Sequence, residues 1–362
     1  MALAAALAAL SFVVAPAGAT VRAELRETWT AYKKVYVSED GRVIDYRAAS
    51  ATTSEGQSYA LVRAVWMDDA ATFERVRRWT VANLQGGDAE QLPAWKWGQG
   101  EDGTWGVRDP QPASDADQLY AWALLSAAKR WKKPEYTTLA YHLLVQLWAQ
   151  EVDEVAGRMV VLPGPWARGQ QPTRLNPSYF LPFAWRDFAR ADLSHPWGRL
   201  VDDGYALLTA CRSPGGLARD WCYLDASGAV VPAAEPAHDA FAFEALRVPW
   251  TLAAEVRWHH ERRARVLLRP YEALLSRTKA PSLLPGIILP DGRGAVDWEY
   301  QGMVGALLPV WALHHPCVTR RLYADRLATT RGDHGWGDPN DYYGQNWIWF
   351  GLALWKLEEM SA

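Results

Sequence analysis

Two acidic residues in matching settings, 60 positions apart, constrain the fold of this chain more than any other feature. Glu55 lies in Thr-Thr-Ser-Glu-Gly-Gln-Ser-Tyr and Asp115 in Ala-Ser-Asp-Ala-Asp-Gln-Leu-Tyr. Each follows a small hydroxyl residue and precedes an apolar run of helical period. Leu175-Asn176-Pro177 opens another such run, with Asn176 61 positions beyond Asp115. Polar residues at helix entrances every sixty or so positions predict helical hairpins set in a ring, with their polar ends on one face. Paired carboxylates on such a face point to acid/base chemistry on a neutral, hydroxyl-rich substrate.

The rest of the pattern agrees. Helical periodicity predicts segments at 21–34, 56–67, 69–84, 115–131, 134–152, 178–191, 197–212, 239–253, 256–278, 297–314, 317–329 and 341–358. Strand-like alternation is confined to short pieces, Arg158 to Leu162 and Val37 to Ile44. The segments starting near 56, 116, 178, 240 and 297 are the more apolar ones and are expected to form an inner ring, with charged ones such as 256–278 outside. The expected class is all-α: an (α/α) toroid of about six hairpins with short β pieces in the loops. No linker or shift of composition divides residues 20–362, which are read as one domain.

The chain carries 21 Trp and 15 Tyr, more Trp than core packing alone calls for. A Trp face is a natural platform for a pyranose ring, so some are expected to line a sugar site. The net charge of −3 argues against a nucleic-acid partner, which would require a basic face. The eight His show no ligand spacing and no Gly-rich phosphate loop occurs, so neither metal nor cofactor is expected. Three Cys make no disulfide framework, although Cys211 and Cys222 flank a Pro-Gly-Gly loop and are placed to pair in an oxidising compartment.

Residues 2–19 form an apolar run ending in Ala17-Gly18-Ala19, which reads as a signal peptide lacking a basic start. The expected mature chain begins near Thr20 and is periplasmic or secreted, without stable membrane insertion after cleavage.

Ser54-x-x-Gln57 and Ser114-x-x-Asp117 resemble capping boxes, and an acid in a first helical turn is favoured by the helix dipole. Glu55 and Asp115 therefore have a plain structural role open to them. The dipole also lowers a carboxyl pKa, the wrong direction for a general acid. A catalytic Glu55 would need desolvation or a neighbouring negative charge, and Asp115 on the next inner helix could supply that charge.

The run Ala-Ser-Asp-Ala-Asp at 113–117, with Ala-Trp-Ala-Leu-Leu from 121 and Ala127 to Trp131, resembles the signature of glycoside hydrolase family 8. So do the segments around Glu55, Leu-Pro-Ala-Trp-Lys-Trp-Gly from 92, Asn176-Pro-Ser-Tyr, Ala245-Leu-Arg-Val-Pro-Trp and Tyr342-Tyr-Gly-Gln-Asn. Within the family the chain is most similar to periplasmic endoglucanases encoded beside bacterial cellulose synthase. The resemblance implies an (α/α)6 barrel and hydrolysis of β-1,4-glucan with inversion, with the cellulose synthase complex as a further partner. It also implies that Glu55 is the general acid and that Asp115 binds the sugar at the cleavage subsite. Tyr179 would position the water and Arg247 would orient the base. Asn176, Trp95, Trp97 and Tyr343 are carried over as substrate-binding residues, with core packing an equal alternative for the last three.

One departure stands out. Where the commonest family pattern has Asp three residues before the Arg, this chain has Glu244. The extra methylene moves the carboxylate by about 1.5 Å, and misplacement on that scale can cost about a hundredfold in rate. Glu244 is read as the base, with a routine i, i+3 helix pair to Arg247 as the plain alternative and Asp239 as the fallback base. Two functions stand: an active endoglucanase, or a glucan-binding relative with weakened catalysis that guides chains during export. Within the hydrolase class, xylan, mixed-linkage glucan and chitosan are further substrates to weigh.

Overall fold

The computed structural model describes residues 17–278 and 282–357. Twelve helices follow one another: α1 (Ala17–Tyr36), α2 (Ser54–Trp66), α3 (Ala70–Asn83), α4 (Ser114–Trp131), α5 (Pro134–Glu151), α6 (Pro182–Ala191), α7 (Trp197–Ala210), α8 (Arg247–His259), α9 (Arg262–Ala273), α10 (Gln301–Ala312), α11 (Pro316–Arg326) and α12 (Tyr342–Lys356). The even-numbered helices touch in sequence, α2 on α4, α4 on α6, and so on to α12, which closes on α2. Each odd-numbered helix backs an inner one, and α1 from the chain start packs against α12. The result is an (α/α)6 barrel whose sixth hairpin joins the two ends of the chain. Its inner helices all point their N-termini to one end, which makes the recurrence at 55, 115 and 176 a single face.

Local chemistry explains the helix limits. Thr53 caps α2 by accepting from the Gly56 amide at 3.1 Å, and Asp69 caps α3 through the Thr72 amide at 3.0 Å. Pro134, Pro182 and Pro316 start α5, α6 and α11 at positions where a missing N–H costs nothing. The expected capping boxes do not form. Gln57 is buried and accepts from the Val43 amide (2.6 Å), and Ser114 donates to the Leu162 carbonyl (2.6 Å). Gln57 also donates to Thr80 of α3 at 2.9 Å, so both side chains are spent on contacts with other segments.

Three expected helices are shorter than their periodicity suggested. The segment read as 178–191 begins with a 3-10 turn, Pro177–Tyr179, and becomes α-helical only at Pro182. The segment read as 239–253 is a turn until Arg247, so Glu244 and Asp239 precede α8 rather than riding on it. The segment read as 256–278 is broken where His260 adopts a left-handed conformation (φ 52°) and ends α8. In the first two cases apolar residues continue the helical spacing through turns that are largely buried, which periodicity cannot separate from helix; in the third a polar, largely exposed His-Glu-Arg break interrupts a segment whose helical spacing resumes beyond it.

Strands decorate the loops. The expected piece near 158 pairs as Val152–Val155 with Arg158–Val161, while the stretch from Val37 to Ile44 is a tight reversal closed by one bridge, Val37 to Val43. Alternation did not reveal the three-stranded sheet of Thr173–Leu175, Cys222–Leu224 and Val230–Val231. Nor did it reveal the hairpin of Lys96–Gln99 and Trp105–Asp109 beside Thr52–Thr53. Cys211 and Cys222 are joined in a disulfide, tying the end of α7 to that sheet. The expected signal segment lies outside the described residues for 1–16, and α1 begins at Ala17. Among the described residues no helix is long and apolar enough to cross a membrane.

Much of the tryptophan excess fills the barrel. Trp66 of α2, Trp122 of α4, Phe183 of α6, Trp250 and Trp258 of α8 and Trp349 of α12 meet ring to ring, with centroids between 5.1 and 6.3 Å in the pairs Trp122–Phe183, Trp66–Trp349 and Trp66–Trp250. Six helices in a ring leave an axial space too wide for aliphatic side chains, and large flat rings close it. α10 and α12 cross so closely that a Cβ on Gly351 would collide with the Gly305 carbonyl.

Candidate active site

Arg247, the first residue of α8, organises the mouth of the barrel. Its Nη1 donates to Glu55 Oε2 at 3.1 Å and to Asp115 Oδ2 at 2.7 Å, while its Nη2 donates to Glu244 Oε2. Three carboxylates from three separate chain segments thus converge on one guanidinium. The guanidinium lies over the Tyr179 ring, 5.0 Å from its centroid. Burial opposes its charge, yet Glu244 and Asp115 hold it protonated well above the ordinary arginine value.

Glu55 has a shifted protonation and remains within reach of the mouth. Burial raises its pKa to about 7, and the neighbouring charge of Asp115 adds to this, against the opposing pull of Arg247 and of a hydrogen bond from Tyr342. Tyr342 Oη donates to Glu55 Oε1 at 2.8 Å. The side chain keeps 21% of its surface exposed, so a ligand in the mouth can reach it. Desolvation thereby outweighs the helix dipole, and the carboxyl is poised to hold or release a proton near neutrality. Asp115, on α4, is more enclosed. Burial, followed by Glu244, raises its pKa, and Arg247 and the Ala116 amide (2.9 Å) counter this.

Glu244 stands in the turn before α8 with a third of its side chain exposed. Besides Arg247 it accepts from Asn176 Nδ2 at 3.0 Å, and Asn176 in turn accepts from the Ser178 amide and hydroxyl. The i, i+3 pair with Arg247 does form, but across a turn rather than along a helix, and a second donor reaches Glu244 from another hairpin. Asp239 is held elsewhere, ion-paired to Arg219.

The remaining expected residues are distributed as follows. Tyr343 turns its hydroxyl to the Phe243 carbonyl (2.7 Å), bracing the backbone beside Glu244. Trp95 borders α2, its carbonyl accepting from the Ser54 amide at 2.9 Å, and it is half-buried. Trp97 is engaged by its neighbours: Trp105 stacks at 5.0 Å, Trp79 meets it edge-on at 5.3 Å, and Arg42 lies 4.6 Å from its centroid. Trp105 is the more exposed member of that pair, at 44%. Two residues went unread in the sequence. Tyr342, not Tyr343, is the partner of Glu55, and only the phase of α12 decides which tyrosine faces inward. Asp220 binds the turn that carries Glu244, and its place in Arg-Asp-Trp before a strand gave no periodic signal.

Behind Asp115 lies a second acidic pair. Asp117 of α4 and Glu151 at the end of α5 are both within 1% of complete burial, and none of their four carboxyl oxygens meets a donor. The two side chains are within hydrogen-bonding reach of each other, which requires a proton between them. Burial holds both carboxyls well above their ordinary values; the Asp117 carboxyl and then Asp115 raise Glu151 further, while at Asp117 the contact with Glu151 opposes the shift and the charge of Asp115 adds to it. A raised folded pKa means that folding takes up a proton. This stability is complete below the unfolded carboxyl range near pH 4 and is lost as pH rises toward the folded values. Asp117→Asn supplies an amide donor to Glu151 without that proton. The variant is expected to be more stable than the parent by about 1–3 kcal/mol at pH 8, with the gap closing toward pH 4. Thermal denaturation of both proteins between pH 4 and 9 checks this; a deficit in the variant that is constant with pH would contradict it.

Among the described residues no group of three or more His, Cys, Asp or Glu is arranged to hold a metal ion. The chemistry available is that of a carboxyl titrating near neutrality, a second carboxylate across a shared arginine, and aromatic rings around them.

Comparison with known proteins places the chain in a family. Residues 2–278 match the family model described as glycosyl hydrolases family 8. An endoglucanase of Escherichia coli K12 is 40% identical over 197 residues, which is 53% of each chain. The alignment thus spans about half the length of that curated relative. An endoglucanase of Cellulomonas uda is 31% identical over 326 residues, covering 87% of this chain and 85% of the other. The crystal structure of an endo-1,4-D-glucanase from Vibrio fischeri ES114 superposes with a TM-score of 0.79 at 29% identity, covering 90% of this chain and 93% of that one. With the family model spanning most of its length and the barrel to match, the chain belongs to glycosyl hydrolases family 8.

Proposed function

We propose that the protein is an endo-β-1,4-glucanase that cleaves cellulose-type glucan with inversion. The observation that carries this reading is the single guanidinium of Arg247 holding Glu55, Asp115 and Glu244 together at the barrel mouth. In this reading Glu55, protonated near neutrality, gives its proton to the glycosidic oxygen as the C1–O bond breaks. Glu244 takes a proton from the water that attacks C1 from the opposite face, so one water is consumed and each product gains a hydroxyl. Asp115 faces the sugar at the point of cleavage, and Tyr179 flanks the water. Trp95 and Trp105 offer faces for neighbouring sugar rings.

The names of the relatives support a glucan substrate. The engagement of Glu244 by both Arg247 and Asn176 supports a working base, whereas the glutamate standing where the family pattern has aspartate is the feature that favours the weakened, chain-guiding alternative. We further propose export to the periplasm, supported by the apolar run before Thr20 and by the disulfide, and a role beside the cellulose synthase complex, which rests on the resemblance alone.

Loss of viscosity and release of reducing ends from soluble carboxymethyl cellulose, beside xylan and chitosan, test the substrate. A fast fall in viscosity at low reducing-end yield on the cellulose derivative alone is expected. Cleavage of xylan or chitosan in preference to it would overturn the glucan assignment.

A further inference from the structure

Glu244 stands on a turn, and a turn is a poor platform for a catalytic carboxylate unless something fixes it. The four residues from Ala242 to Ala245 form a turn, and Phe243 among them is 43% exposed. Their conformation is set from outside by one side chain. Asp220 Oδ1 accepts the amide of Ala242 at 3.0 Å and the amide of Ala245 at 2.8 Å, so a single oxygen closes the turn from both ends around Phe243 and Glu244. The backbone of the same residue repeats the contact, with the Asp220 amide donating to the Ala240 carbonyl at 2.7 Å and that of Trp221 to His238 at 3.0 Å.

Asp220 is itself well anchored. The strand Cys222–Leu224 begins two residues later, and Cys222 is bonded to Cys211 at the end of α7. The clamp therefore connects a covalently fixed strand to the turn. On the other side of that turn, Tyr343 of α12 holds the Phe243 carbonyl. Asp220 also lies within the field of the site: burial, then Glu244, push its pKa up to about 7, while the Ala245 and Ala242 amides and Arg247 oppose this.

We propose that Asp220 is a positioning residue for Glu244, setting through the Ala242 and Ala245 amides the turn that aims the Glu244 carboxylate across Arg247. The proposal rests on the reading of Glu244 as the base. It gives this chain a way to accommodate a glutamate there: the added side-chain length is matched by a turn whose backbone position is dictated by a second acid rather than by the helix that follows.

The experiment compares Asp220→Ala, Asp220→Asn and Glu244→Gln, alone and combined, on soluble carboxymethyl cellulose. The asparagine carbonyl can still accept both amides, whereas alanine leaves them unmet. Asp220→Ala is expected to lower kcat by about a hundredfold, the scale set by a displacement near 1 Å. KM should stay within about threefold, since the ring-binding surfaces are untouched. Asp220→Asn is expected to lose less than about tenfold. Added to Glu244→Gln, Asp220→Ala should cost little more, because a misaimed base and an absent base are the same defect. Full additivity, a loss confined to KM, or an asparagine variant as poor as alanine would overturn the proposal. If Asp220→Ala does not fold, Asp220→Ser, which keeps one short acceptor, takes its place with the same expected pattern. A Glu244→Gln enzyme of full activity would instead refute the base assignment, whatever the Asp220 variants do.

Discussion

Glu55→Gln is expected to lower kcat/KM on soluble carboxymethyl cellulose by about 10²–10⁴-fold, the contribution usual for a positioned general acid. Glutamine keeps the size of the side chain, its amide oxygen can accept from Arg247 and its amide nitrogen can donate to the Tyr342 hydroxyl, so the barrel mouth should remain intact. What it cannot do is give a proton to the departing oxygen. The loss should therefore depend on the leaving group. A dinitrophenyl β-cellobioside, whose phenolate departs unaided, should be cut by the variant within about tenfold of the parent rate. The pH profile gives a second check. As the proposed acid, Glu55 would work in its protonated form, so kcat/KM of the parent should fall on the alkaline side with an apparent pKa of about 7. Tyr342→Phe removes a hydrogen bond that favours the carboxylate, and should move this limb to higher pH. Equal losses on both substrates would sink the assignment of Glu55 as the acid.

Glu244→Ala is expected to produce a loss of similar size, about 10²–10⁴-fold, but one that behaves differently. The base is needed for water and not for an anion that is already deprotonated. Azide added to the variant should attack C1 directly, with Glu55 still protonating the leaving oxygen, and yield a glycosyl azide at an increased rate. The parent should gain nothing from azide, because water is activated there already. Glu55→Gln should also gain nothing, since its missing proton is on the other side of the bond. If Glu244→Ala retained full activity, the base would lie elsewhere, and Asp239, ion-paired to Arg219, would be the next residue to replace.

The ring and its polar face were legible in the sequence because both depend on short-range chemistry repeated at a regular interval. Glu55 and Asp115 sit in the first turns of apolar helices, and Asn176 opens a turn before another. What periodicity could not show was the irregular backbone that completes the site. Glu244 and Asp239 fall within the segment read as helix, yet Asp239 ends a short 3-10 turn, Pro236–Asp239, and Glu244 lies in a later turn whose Ala242 and Ala245 amides find Asp220 instead of a helical carbonyl. Tyr342 and Tyr343 are adjacent and chemically alike, so their different partners follow from the rotation of α12 about its axis, which only packing fixes. The tryptophans taught a related lesson. Their number suggested sugar platforms, but Trp66, Trp122, Trp250, Trp258 and Trp349 were needed to fill the axis of a six-helix ring. Composition reports how many rings a chain has and not which way they face.

The central claim is that Glu55 and Glu244 act on opposite faces of the sugar, as acid and base with water between them. The most direct test is the anomeric configuration of the reducing end at the moment of cleavage, followed by proton NMR during the first minutes of hydrolysis of a β-1,4-glucan oligosaccharide. The account predicts that the α-anomer appears first and only later relaxes toward the equilibrium mixture. First appearance of the β-anomer would mean that Glu244 or Asp115 attacks the sugar itself, and would contradict the account.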